Sequence, residues 1–369
     1  MIPSEDPFYA PVADPGPPGG LLRARRVTLA LETAVDAHQV VYASTGARGQ
    51  AIAVSGTVLV PATARPGPGP RPIVSYGVGV HGLSRDAAPG HLMLHGREAE
   101  VALLDPLLAR GWAVAVTDGD GHGMPGPHTY GAGLPGGHAM LDIVRAARGL
   151  TADLDRDAPV LLWGYSEGGR NACWAAELQP GYAPDLDVRG VAAGGVPADL
   201  RAVAEAIDGG PFSGLGLAVV VGLAHAHRDP ALDAVLTADG RRAADLAAQR
   251  DVVGLIVEHP EPLRHHTGRD NAWEDPAWSV LLERERNGQR RPGVAVYLYH
   301  VPDDEIVPYA VGRRLHGAYL ALGADVTWTD VPTTDHLTGA FAGSGDAVRW
   351  LADQLIATSR SKKALLRTS

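Results

Sequence analysis

Residues 158–163, Ala-Pro-Val-Leu-Leu-Trp, run without a polar break into Gly164-Tyr-Ser166-Glu-Gly168-Gly, and a helix-like stretch follows through Leu178. No other feature constrains the fold as much. A side chain at 164 or 168 would collide with the neighbouring strand or helix, and the tight turn lifts the Ser166 hydroxyl above the end of a sheet. The pattern is a nucleophile elbow, which also aims the backbone N–H of Glu167 at any charge developing on a bound carbonyl. A bare G-x-S-x-G is as often an ordinary glycine-rich turn. The strand before it, the helix after it and two partners downstream separate this one from that.

Around the elbow, the hydrophobic pattern alternates between strands and helices. Short turn-bounded runs at 27–31, 39–44 and 51–60 predict an antiparallel start to the sheet, followed by a Pro- and Gly-rich loop at 66–72. Strands at 71–77, 112–117 and 188–193 and helices at 98–110 and 136–150 then predict parallel βαβ units around the elbow strand. The alternation breaks between residues 199 and 292, where helical pieces and prolines replace strands, and resumes at 293–299 and 325–328. This divides the chain into an irregular arm with the first part of the core (1–198), a helical lid or cap insertion (199–292) and the rest of the core (293–369). Within the insertion, the apolar helix at 214–223 suits either plain packing or the underside of a lid, with Leu217 and Val220 expected on the pocket side.

Composition removes several function classes. A net charge of −10 argues against a nucleic-acid partner, and the basic tail at 360–363 reads as a frayed terminus. No stretch approaches the roughly 18 apolar residues of a membrane span. The single cysteine, Cys173, cannot form an internal disulfide and is expected as a buried, inert thiol. No Cys/His zinc pattern is present, and Asp118-Gly-Asp-Gly-His-Gly123 lacks the closing glutamate of a calcium loop, so it reads as a turn after a strand. Neither metal nor cofactor is expected. Met1-Ile-Pro-Ser-Glu carries no signal-peptide pattern; the protein is secreted if a leader has been trimmed and cytoplasmic if the chain is complete. Oligomeric state stays open.

A serine hydroxyl attacks only when a positioned base takes its proton and a carboxylate orients that base. Asp304 lies in Val301-Pro-Asp-Asp304-Glu-Ile-Val-Pro308, directly after a late strand, where this architecture supplies its acid. An acidic turn is ordinarily a solvated loop or a helix cap; here the position and the downstream His336 favour a functional role. Among 15 histidines, His336 alone sits in a loop after the last strand and before a final helix at 345–357, completing the order Ser, Asp, His. Besides Glu167, a second oxyanion donor is expected from the glycine-rich loop Gly77-Val-Gly-Val-His81-Gly82, at His81 or Gly82. That loop lacks the Gly-Lys-Ser/Thr ending of a nucleotide cradle.

Taken together, the chain resembles the secretory lipase family of fungi and actinobacteria. The likeness rests on the opening Glu5-Asp-Pro-Phe-Tyr9, Ser75-Tyr-Gly through Ala88-Pro89, Pro125-Gly-Pro-His-Thr-Tyr130, Gly137-His-Ala-Met-Leu-Asp142, the elbow, Gly209-Gly-Pro-Phe212, Pro302-Asp-Asp-Glu-Ile-Val-Pro308 and Asp335-His-Leu-Thr338. It implies an α/β-hydrolase fold, with a mostly parallel central sheet flanked by helices and a helical lid at 199–292. It also implies a triad of Ser166, Asp304 and His336, and places His81 near the second oxyanion residue. The activity implied is hydrolysis of acylglycerols or similar hydrophobic esters through an acyl-enzyme, without a cofactor and with transient contact at a lipid interface. Ala87 stands where family members often carry a cysteine tied to the lid, which implies a less tethered lid; Asp120, His122 and Arg170 also depart from the family pattern. An acyltransferase or tailoring esterase with the same triad, and a non-catalytic binding protein of the same fold, are the alternatives.

Overall fold

The computed structural model describes residues 1–65, 67 and 69–365; side chains from 357 onward, and residues 66 and 68 of the expected 66–72 loop, lie outside it. Among the described residues one nine-stranded sheet runs β1 (Leu21–Val27), β2 (Val35–Thr45), β3 (Ala51–Pro61), β5 (Ala113–Gly119), β4 (Ile73–Gly77), β6 (Val160–Tyr165), β7 (Val188–Gly194), β8 (Val296–His300) and β9 (Val326–Asp330). The first three strands and their junction with β5 are antiparallel, and every pair from β5 to β9 is parallel. The fold is α/β. The first strand is displaced from its expected place at 27–31. β1 carries Arg23, Arg25 and Arg26, charges that mask the apolar pattern of an edge strand yet are tied to the N-terminal arm, Arg23 donating to Ala10 O at 2.6 Å and Arg25 pairing with Asp6 at 2.7 Å.

Buried on both faces, β6 reads as a continuous apolar run for that reason. Helices α3 (Gly133–Arg148), α4 (Glu167–Tyr182) and α12 (Tyr309–Ala321) pack one face of the sheet, while α1 (Pro89–Leu94), α2 (Val101–Ala109) and α13 (His336–Leu365) pack the other. Trp163 is 1% exposed, meets Tyr76 edge-on at 5.1 Å and donates Nε1–H to Tyr299 Oη at 3.0 Å. Trp163→Ala would cost about 3–5 kcal/mol.

Between β7 and β8 the chain forms α5 (Leu200–Ile207), α6 (Ser213–His227), α7 (Pro230–Asp233), α8 (Ala238–Ala247), α9 (Val252–Glu258), α10 (Leu263–Thr267) and α11 (Pro276–Arg284), a helical layer with its own apolar cluster around Leu217, Leu223, Leu255 and Trp278. α13 starts at His336 and not near 345, and its backbone continues through 360–363, expected to fray, to Leu365. Gly339 and Gly343 weaken any helix reading of this stretch. Both are needed where the helix crosses the sheet, because a Cβ at Gly339 would lie 2.5 Å from Val301 Cγ2 and one at Gly343 2.5 Å from Tyr299 Cδ2.

Candidate active site

Ser166 joins β6 to α4 with φ 55° and ψ −122°, a backbone that costs a non-glycine residue about 1–3 kcal/mol and persists only where the surroundings over-determine it. They do so here. Ser166 N–H donates to Gly194 O at 2.9 Å, and its carbonyl accepts from Arg170 N–H at 2.9 Å. A Cβ on Gly77 would lie 2.9 Å from the Gly168 backbone, and one on Gly168 would run into the Gly77 carbonyl. The register pairs Gly77 with Gly164, so β4 and β6 end side by side and the loops that leave them diverge at the carboxyl edge of the sheet. Ligands bind in such a crevice.

The adjacent strands β8 and β9 bring the other two residues together. His336 Nδ1–H donates to Asp304 Oδ2 at 2.7 Å. The second oxygen, Oδ1, accepts from Ile306 N–H at 3.0 Å and Val307 N–H at 2.7 Å, which fixes the plane of the carboxylate. His300 Nε2 lies 2.9 Å from Val307 O and 3.4 Å from Asp304 Oδ2. Burial works against the Asp304 charge, yet hydrogen bonds from His300, His336 and the Val307 amide outweigh it and hold the carboxyl well below the usual carboxylate range. Asp303 is exposed, and both oxygens of Asp335 are engaged by Thr338, from N–H at 2.8 Å and Oγ1–H at 2.6 Å, as the cap of α13. Glu305, to which the sequence assigns no role of its own, accepts from His336 N–H at 2.8 Å.

Ser166 and His336 share one cavity of about 770 Å³. Val80 and His81 of the loop after β4 line it, together with Val203 and Ile207 of α5, Leu215, Gly216 and Val219 of α6, and Val252 and Ile256 of α9. Its rim includes Val253, Leu337 and Phe341, which are 64%, 69% and 47% exposed. Leu217 and Val220, expected toward the pocket, instead pack in the core of the helical layer; it is Leu215, Gly216 and Val219 of α6 that line the cavity. Arg170, Asp120 and His122 do not line this cavity, so their departure from the family pattern does not bear on it directly. Arg170 is 1% exposed and donates Nη2–H to Gly131 O at 2.7 Å and Glu285 O at 2.6 Å, tying α4 to the end of the helical layer.

Both oxyanion candidates on the β4 loop are held by neighbouring groups. His81 lines the cavity, but both ring nitrogens are already engaged by groups that line it too, Nδ1 being 2.8 Å from Gly79 O and Nε2 2.6 Å from Glu98 Oε2. Burial would lower its pKa; the Glu98 carboxylate, with Glu100 behind it, raises it to about 9, so the ring is an imidazolium at neutral pH. Only the His81 backbone can then serve an oxyanion. Gly82, φ +105°, is outside the cavity lining and bridges Asp251, where a Cβ would lie 2.5 Å from the Asp251 backbone. Leu83 N–H and Val252 N–H complete the junction by donating to Arg250 O at 2.8 Å and His81 O at 3.0 Å. Spacing gives no signal for Glu98, which the hydrophobic pattern puts at the start of a helix and which instead precedes α2.

Cys173 is fully buried, and burial pushes its thiol up to about 12. Among the described residues no three His, Cys, Asp or Glu side chains converge as a metal site would require, and no helix is long and apolar enough to cross a membrane.

The site's neighbours among known proteins share the whole architecture. The chain is 29% identical to lipase A of Moesziomyces aphidis, over 92% of this chain and 78% of that protein. It is 29% identical to a Mycobacterium tuberculosis protein named a probable inactive lipase, over 96% of this chain and 82% of the other. Candida antarctica lipase A in its closed state superposes with a TM-score of 0.88 at 25% identity, covering 97% of this chain and 87% of that one. The secretory lipase family model matches residues 92–361, a span that holds the elbow, the Asp304 loop and His336, and the chain therefore belongs to the secretory lipase family.

Proposed function

We propose that the protein is a serine carboxylic-ester hydrolase acting on acylglycerols or similar hydrophobic esters. The observation that carries the reading is the 2.7 Å hydrogen bond from His336 Nδ1–H to Asp304, made in the cavity that Ser166 also lines. In the neutral ring that bond keeps the proton on Nδ1, so that Nε2 is the nitrogen able to act as a base. Ser166 Oγ attacks the ester carbonyl as Nε2 takes its proton. The imidazolium then returns the proton to the leaving alcohol, and Asp304, ionised throughout, stabilises the charged ring. The backbone N–H groups of Glu167 and His81 receive the oxyanion, in preference to Gly82. Water resolves the acyl-enzyme by the same path in reverse.

Residues 199–292 act as the cap, with the acyl chain beneath α5, α6 and α9. The exposed apolar rim at Val253, Leu337 and Phe341 suits transient contact with an ester aggregate. The name of the M. tuberculosis relative favours a second reading, a non-catalytic member of the fold. One experiment separates them. A fluorophosphonate probe is expected to label Ser166 alone, and Ser166→Ala to lower kcat by about 10³-fold or more. Label mapped elsewhere, or a Ser166→Ala variant as active as wild type, would discard the assignment, and an unlabelled protein without esterase activity would establish the second reading.

A further inference from the structure

Behind the nucleophile, outside the ester cavity, lies a buried pair of histidines that the proposed reaction does not use. The rings of His122 and His128 stack with centroids 4.0 Å apart and planes 10° from parallel. His128 Nε2–H donates to Glu167 Oε1 at 2.8 Å, and its Nδ1 lies 2.8 Å from Asp120 O. His122 Nε2 lies 3.1 Å from Gly82 O, and its Nδ1 2.9 Å from Asp118 O. All four ring nitrogens face acceptors. The stack thus touches both backbone segments proposed to supply the oxyanion donors: the residue after the nucleophile on one side and the loop after β4 on the other. A small void of about 20 Å³ adjoins the stack, its wall including Gly77, Val78, Gly79, His122, His128 and Glu167.

Glu167 is 6% exposed, so its carboxylate needs a partner. It also belongs to the residue whose N–H is the proposed donor, and it lies outside the ester cavity. Unpaired, the carboxylate would oppose negative charge arriving at that amide, whereas paired with His128 it does not. Glu167's pairing also raises the His128 pKa despite burial, while burial and the charges of His128 and His81 hold His122 well below the usual imidazole range. The pairing thus favours a proton on the ring next to Glu167 over one on His122.

We propose that His122 and His128 are positioning residues for the oxyanion hole. His128 acts through the Glu167 side chain and His122 through the Gly82 carbonyl, and together they fix the separation of the two donor segments and neutralise the carboxylate behind one of them. The inference rests on Ser166 as the nucleophile, which the fluorophosphonate experiment on the wild-type protein tests separately.

Steady-state kinetics on a soluble short-chain ester test the clamp. Misplacing a donor by a fraction of an ångström is expected to lower kcat about 10- to 100-fold in His128→Ala, with KM within about two-fold, because only the transition state bears the oxyanion charge. Adding Glu167→Gln to His128→Ala removes the stranded charge and should recover part of that loss. A role in folding alone predicts no such rescue. His122→Gln should also lower kcat, and the His122→Gln/His128→Ala double variant should lose less than the product of the single losses, since both act on one hole. Should His128→Ala not fold, Glu167→Ala decides the matter, because it keeps the amide and loses only the tether: a kcat loss of about 10-fold supports the clamp. Values of kcat within about two-fold of wild type in the folded variants, or losses confined to KM, overturn it while leaving the assignment of Ser166 intact.

Discussion

Replacing Asp304 by asparagine tests the site most sharply, because the structure dictates which way the new amide must face. Oδ1 of Asp304 receives two backbone N–H groups, from Ile306 and Val307, at 3.0 and 2.7 Å. An asparagine that turned its NH2 group toward them would set donor against donor, leaving two buried amides without acceptors at about 1–3 kcal/mol each. The carbonyl therefore stays on that side, and the NH2 group faces His336 Nδ1. The ring must then accept at Nδ1, which moves its proton to Nε2 and aims a donor at Ser166 where a base is required. Loss of the productive tautomer lowers kcat by about 10⁴-fold, equivalent to about 5.5 kcal/mol. Initial rates on a chromogenic ester, with thermal unfolding to show that each variant is folded, would measure it beside Asp303→Asn and Asp335→Asn. Asp303 is exposed and Asp335 caps α13 through Thr338, so both should keep kcat within a few-fold, Asp335→Asn with a small loss of stability. Near-normal turnover in Asp304→Asn, or a severe defect in Asp303→Asn, would refute the placement of the acid.

Two further outcomes follow from α6 and from the His81 loop. Val219 lines the cavity, so Val219→Trp should cut activity on long-chain esters at least about ten-fold more than on acetates; Leu217, 1% exposed and facing away, should on truncation to Ala cost about 2–5 kcal/mol in denaturant unfolding and leave the chain-length profile unchanged. Because the His81 pKa is raised from 6.5 to about 9, the stabilisation from its pair with Glu98 is complete below pH 6.5 and is lost as pH rises through 9; the alkaline fall in Tm should move toward neutrality in Glu98→Gln, and an unmoved profile would remove His81 from this role.

Much of the architecture was legible in local chemistry. Glycines at 164 and 168 around a serine, an apolar run before it and a helix after it specify the elbow, because backbone sterics act over a few residues and need no distant partner. The same locality explains the parallel strands, whose burial on both faces shows as uninterrupted apolar runs, and the order of Ser166, Asp304 and His336, each on a loop after a strand. Where local signals conflict, the sequence misleads. Gly339 and Gly343 hide the first turns of α13, and arginines hide β1. α6 is apolar nearly all round, so no periodicity separates the face that looks into the cavity from the face that packs. What the tertiary structure alone decided is where each polar side chain finds its partner. His81 meets Glu98 17 positions away, His128 meets Glu167 39 away and His122 meets Gly82 40 away. These pairings occupy both ring nitrogens of His81 and hold two histidines against Gly82 and Glu167, outside the ester cavity. They exist because buried rings must satisfy their nitrogens with whatever acceptors the packed sheet brings within reach, and that is a property of the assembled fold and not of any segment.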